Sequence, residues 1–121
     1  YGTTPHLAVD ARRFDVSPAW LPWVGAVPAL EAYAAVPAEQ IRAHDVGLAN
    51  ALRDGLGLGP SDSAIVTLPD PDGELRARLE SAGCRVAGRG GGVRIAFHVW
   101  NTGEDVELAL AALTSAAVPV G

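Results

Sequence analysis

The sequence contains no lysine; all nine of its basic residues are arginine. Chemistry that depends on a lysine amine is therefore excluded from this stretch of chain. Cysteine is nearly as scarce. Cys84 stands alone, which rules out an intramolecular disulfide. Its neighbours Gly83 and Val86 suggest a small, partly buried residue at the start of a strand. Three histidines, His6, His44 and His98, have no ligand spacing between them, so no metal site is expected. No apolar run approaches the ~20 residues that a membrane span needs. The N-terminus also lacks a charged segment followed by an apolar one. A reducing, cytoplasmic setting is the expectation. A net charge of -5 argues against a nucleic-acid surface.

What is present suits one modest domain: 121 residues, 49% of them apolar. Residues 1–5 read as loop and His6 to Asp10 as a short strand. Ser17-Pro18 predicts a helix start, with Ser as N-cap and Pro at the first helical position. The run from Ala19 to Val36 is apolar nearly all round, which suggests burial or a subunit interface. Pro28 is expected to kink or split it. A second helix is expected from Pro37 to about Leu56. Its apolar stripe is Ile41, Leu48, Leu52 and Leu56, with Glu39, Arg42, Asp45 and Asp54 towards solvent. After a Gly- and Pro-rich turn the rhythm changes. Strands are expected at 63–68 and 84–88, with a short helix from Glu74 to Ala82 between them. A glycine link at 90–92 leads to a third strand, and a last helix runs from Glu104 to about Ala116. This order predicts an α+β fold, N-terminal helices followed by a small sheet with helices packed on one face.

The stretch from Val93 to Asp105 carries the candidate chemistry. Strict alternation puts Val93, Ile95, Phe97 and Val99 on one face, and Arg94, Ala96, His98 and Trp100 on the other. Thr102-Gly103-Glu104-Asp105 then predicts a helix start with a reciprocal cap between Thr102 and Asp105. Arg94 is the sharpest candidate: a guanidinium fixed in a strand offers a planar fork to a carboxylate. The alternative is a plain surface arginine or one paired to an acid in a structural salt bridge. His98 shares the face of Arg94 and either lies near a site or packs on Trp100. Arg89-Gly90-Gly91-Gly92 leads into a strand rather than a helix, so it is read as a hairpin or crossover, not a phosphate loop.

These residues resemble the C-terminal signature of the class V aminotransferase family, the cysteine-desulfurase-like branch of fold-type I pyridoxal-phosphate enzymes. The match is an arginine, a small residue and an aromatic position, followed by Trp100-Asn101-Thr102 and Asp105 before the last helix; the family usually has Tyr where Trp100 stands. Arg13-Phe14-Asp15-Val16-Ser17-Pro18 is similar to the family's Arg-Phe-Glu-x-Gly-Thr-Pro stretch, and the likeness runs in order over residues 12–114.

The resemblance implies a C-terminal portion of a longer enzyme, roughly three times this length on domain-size grounds. Residues 1–36 would be a remnant of the large cofactor domain with an interface helix, 37–60 a connecting helix and turn, and 61–121 the small C-terminal domain. Arg94 would bind the substrate α-carboxylate. Ser17 falls near the Gly-Thr pair that touches the cofactor phosphate across the dimer, although Ser-Pro replaces that pair here. The cofactor, pyridoxal 5'-phosphate, needs a Schiff-base lysine that these residues lack. No catalytic residue is therefore expected in this chain, and the N-terminal part of the same enzyme becomes its expected partner in a homodimer. The persulfide loop of the desulfurases shrinks to Gly90–Gly92, and Cys84 lies too early to replace its thiol. That favours a C–S lyase or epimerase, which needs no such thiol; the Arg12-Arg13-Phe14-Asp15-Val16-Ser17-Pro18-Ala19-Trp20 stretch resembles the lyases that cleave a cysteine-derived sulfoxide in ergothioneine biosynthesis, which implies that activity for the longer enzyme. A different reading is a stand-alone α+β interaction domain that dimerises through the helix carrying Trp20 and Trp23.

Overall fold

The structure, a computed structural model, describes residues 8–14 and 20–115. The Ser17-Pro18 helix start, His6 and the tail from residue 118 lie outside the described residues. The chain divides into two units, Tyr1–Ala35 and Val36–Gly121.

In the first unit, residues 8–10 do not continue a strand but bend into a 3-10 turn, Ala11–Phe14. Asp10 sets this bend. Its Oδ1 accepts the Arg12 backbone N–H at 3.0 Å, and its Oδ2 takes Nη2 of the same arginine at 2.8 Å. The Arg12 side chain, and then its backbone N–H, hold the Asp10 carboxyl below its ordinary range. Helix α1 spans Trp20–Ala34. It is not split at Pro28, which lies inside one helical element. The loss of one ladder bond there is tolerated by the turns on either side. None of the α1 side chains is buried in this chain; Trp20 is 74% exposed and Trp23 64%.

The second unit is an α+β fold. Its elements are α2 (Ala38–Gly55), β1 (Ile65–Pro69), α3 (Glu74–Ser81), β2 (Ala87–Arg89), β3 (Gly92–Ala96) and α4 (Gly103–Thr114). The sheet is antiparallel with β3 in the centre, in the order β1-β3-β2. Gly90 and Gly91 alone connect β2 to β3, at φ 58° and 72°. Positive φ at both central residues is the requirement of a type I′ hairpin, whose twist matches that of the flanking strands. The glycine link is therefore a tight turn.

Register settles the two faces. Val66 pairs with Ile95 and Leu68 with Val93, and this side packs on the helices. Ala49 and Leu52 of α2, Leu79 of α3, and Val106, Ala109 and Ala112 of α4 complete the core. Leu52, Leu79, Val66 and Val93 are fully enclosed, each contributing about 1.5–3 kcal/mol by burial. On the other side lie Thr67, Ala87 and Ala96, all exposed.

Three local expectations are corrected. The strand expected at 84–88 begins only at Ala87, and residues 84–86 are irregular. The alternation from Val93 stops after Phe97. The Asn101 N–H donates to the His98 carbonyl at 2.8 Å, while the His98 N–H donates to Asn101 Oδ1 at 2.9 Å. That turn carries Val99 out to solvent instead of into the core. Asp45, expected towards solvent, is buried at 8% exposure. Its position four residues after Ile41 and four before Ala49 puts it on the helix's inner face.

Candidate functional site

Arg94 sits in the middle of the central strand. Its Cα partners are Thr67 on one side and Ala87 on the other. Gly92 and Ala96, two residues either way, share its face. The guanidinium therefore rises from the sheet's open face among small neighbours, with its backbone fixed by two flanking strands. It is half-buried. Among the described residues it makes no hydrogen bond or ion pair, so the structural ion pair weighed above is not formed. Arg89 lies on the same face by register, opposite Gly92. The strand positions of this face are Ile65, Thr67, Pro69, Ala87, Arg89, Gly92, Arg94 and Ala96, with no acid among them. Such a surface can take an anion, and a fixed guanidinium can take a carboxylate in the bidentate mode.

His98 does not join Arg94. The turn that ends the strand takes it to α2. There its Nδ1 accepts the Val99 N–H at 2.8 Å and lies 3.7 Å from Asp45 Oδ2. Its ring stacks on Trp100, centroids 4.3 Å apart and 12° between planes. His44 of α2 reaches the same turn, with Nε2 3.0 Å from the Asn101 carbonyl oxygen. The turn runs on into α4. Thr102 and Asp105 form the expected capping box, in which the Thr102 N–H donates to Asp105 Oδ2 at 2.9 Å. The Asn101 side-chain amide donates to the same oxygen at 3.2 Å. This network fixes the chain immediately after Arg94's strand.

Cys84 is half-buried. Burial pushes its thiol up, and the Asp105 carboxylate adds to the effect. A thiol so placed carries less of the nucleophilic thiolate than an exposed one. Ser17 lies outside the described residues. Among those described, no three His, Cys, Asp or Glu side chains are grouped to hold a metal ion, and no helix is long and apolar enough to cross a membrane.

A feature that sequence reading missed is a cleft of about 460 Å³ where residues 84–86 diverge from β3. Its wall includes Arg85, Phe97, Trp100, Asp105 and Leu108. The signal was weak: only the short β2, pairing no further than Ala87 with Arg94, leaves this end of β3 open.

No family model, curated protein or solved structure matches this chain.

Proposed function

We propose that this chain is the C-terminal part of a pyridoxal-phosphate enzyme of the class V aminotransferase family, in which Arg94 binds the α-carboxylate of an amino-acid substrate. The particular reading is a C–S lyase acting on a cysteine-derived sulfoxide, as in the hercynylcysteine sulfoxide lyase of ergothioneine biosynthesis. The observation that carries it is the geometry of Arg94. A guanidinium that makes no hydrogen bond or ion pair among the described residues stands on the open face of a sheet whose other face is filled by helices. An open face suits contact with a further domain, and a strand-fixed arginine suits a carboxylate that must be oriented as well as bound.

The residues in hand do not fit the cofactor by themselves. There is no lysine, and Ser17 lies outside the described residues. In this reading the cofactor is held elsewhere in a longer homodimeric enzyme, and no chemical step is assigned to these residues. Arg94 binds and aligns.

The test is Arg94→Ala in an enzyme that carries this segment together with its cofactor-binding part. Loss of a charge-assisted bond worth about 1.5–3 kcal/mol predicts a KM raised roughly 10- to 100-fold. The visible spectrum of the bound cofactor stays unchanged. Arg94→Lys recovers only part of the loss, because an ammonium cannot reproduce the planar fork. Unaltered substrate kinetics in Arg94→Ala removes this residue from the site.

One observation favours a second reading, an interaction module without catalysis: α1 exposes Trp20, Trp23, Val24 and Leu30 together. The native mass of the 12.4 kDa chain separates the two. A dimer of this chain that dissociates in a Trp20→Asp/Trp23→Asp variant, with no cofactor band, supports the module.

A further inference from the structure

We infer that the cleft between residues 84–86 and the start of α4 binds a zwitterionic amino acid with an aromatic side chain. This site lies on the helix-packed side of the sheet and does not depend on the reading of Arg94.

The argument starts from two charges that do not neutralise each other. Arg85 and Asp105 both line the cleft, one from the irregular segment and one from the first turn of α4. They form no salt bridge with each other. Among the described residues Arg85 has no hydrogen bond or ion pair at all. Glu80, close by in sequence, is committed to Arg76 at 2.8 Å. Asp105 spends Oδ2 on the Thr102 N–H and on the Asn101 side chain, which leaves Oδ1 for another donor. A cavity with a separated cation and anion on opposing elements suits a ligand carrying both charges. A simple anion is disfavoured by Asp105, and a simple cation by Arg85.

The third element is Trp100. Its ring is 69% exposed, unlike the aliphatic residues of this unit's core. It is nevertheless fixed, because one face stacks on His98. The His98 ring is in turn anchored by the Val99 N–H and faces Asp45. A pre-oriented indole beside a cleft offers a π surface at little entropic cost. Phe97 and Leu108 extend the apolar part of the wall. The volume lies within the 300–1,000 Å³ range of small-molecule sites.

The experiment is a ¹H–¹⁵N titration of the chain with L-phenylalanine, phenylacetate and 2-phenylethylamine. L-Phenylalanine is expected to shift the amides of residues 84–86, 96–101 and 105–109 saturably, with Kd on the order of 1 mM. Each analogue lacks one charge and binds at least about 10-fold more weakly. Arg85→Gln weakens L-phenylalanine to the level of 2-phenylethylamine, and Trp100→Ala abolishes the shifts. Both positions are exposed, and the spectra themselves report whether the variants fold. Arg94→Ala leaves the titration unchanged, so failure here and failure of the carboxylate role of Arg94 are read separately. Equal binding of all three compounds, or no saturable shift, overturns the proposal.

Discussion

Asp70 is the residue whose removal should be felt furthest. It is buried at the end of β1, and its carboxylate closes the start of α3. Oδ1 accepts the Leu75 N–H at 2.9 Å and Oδ2 accepts the Arg76 N–H at 3.0 Å. The residue just before the helix, Gly73, offers no side chain, so these two donors depend on Asp70. Its own backbone N–H donates to the Gly91 carbonyl at 2.8 Å, tying the β2–β3 turn to the same point.

In Asp70→Ala two backbone donors lose a charged acceptor within a largely closed site. A single side-chain cap contributes about 0.5–2 kcal/mol. Two bonds to one carboxylate, helped by the helix dipole, should therefore contribute about 2–3 kcal/mol. That is a large share of the roughly 5–15 kcal/mol by which a domain is stable. The melting temperature should fall by about 10 °C or more for a unit of this size. Urea denaturation followed by far-UV circular dichroism reads the same loss as a lower midpoint at unchanged slope. Asp70→Asn separates charge from shape. The amide keeps one acceptor but turns its NH₂ towards the other helix N–H, so it should recover only part of the loss. Hydrogen exchange at Leu75 and Arg76 should accelerate more than at Leu79. A loss below about 0.5 kcal/mol in Asp70→Ala would refute the reasoning, because it lies under the range of even one cap. It would mean that water replaces both bonds.

Two further outcomes follow from the same geometry. Alanine at Gly90 or Gly91 forces a Cβ into positive φ and should cost about 1–2 kcal/mol in thermal or urea unfolding, whereas Gly90→Asn should be tolerated because Asn-Gly suits a type I′ turn. Cys84, with its thiol raised by burial and by Asp105, should react with iodoacetamide more slowly than free cysteine at pH 8, since less thiolate is present at that pH; a rate equal to that of free cysteine would contradict the burial.

The sheet and its helices were legible because their signals are local. The alternation in β3, the Thr102–Asp105 cap and the glycines after α2 and α3 each act within a few residues. What escaped were features on which residue type or simple alternation misleads. Asp45 looked like a solvent-side acid because of its charge. Yet its spacing from Ile41 and Ala49 placed it inward, and pattern outweighed residue type. The strand's end after Ala96 was hidden for a similar reason. Val99 continues the alternation in sequence, but the mutual bonds of His98 and Asn101 bend the chain before it can pair. The open connection at residues 84–86 depends on how far β2 follows β3, which no single residue announces.

That early bend also decides which groups can act together. Had the strand continued, His98 and Trp100 would have stood on Arg94's face and offered a base and a stacking ring beside its guanidinium. Instead the bend sends His98 against Asp45 and sets Trp100 at the cleft with Asp105. Arg94 is left with small neighbours and Arg89 on the open face, whose strand positions carry no carboxylate and no histidine. A lone guanidinium of this kind can bind and align a carboxylate but cannot move a proton. Any proton transfer to a ligand held by Arg94 must therefore come from groups other than those its sheet face presents. The two sides of β3 consequently call for separate tests: substrate affinity for Arg94, and discrimination between charged analogues for Arg85, Trp100 and Asp105.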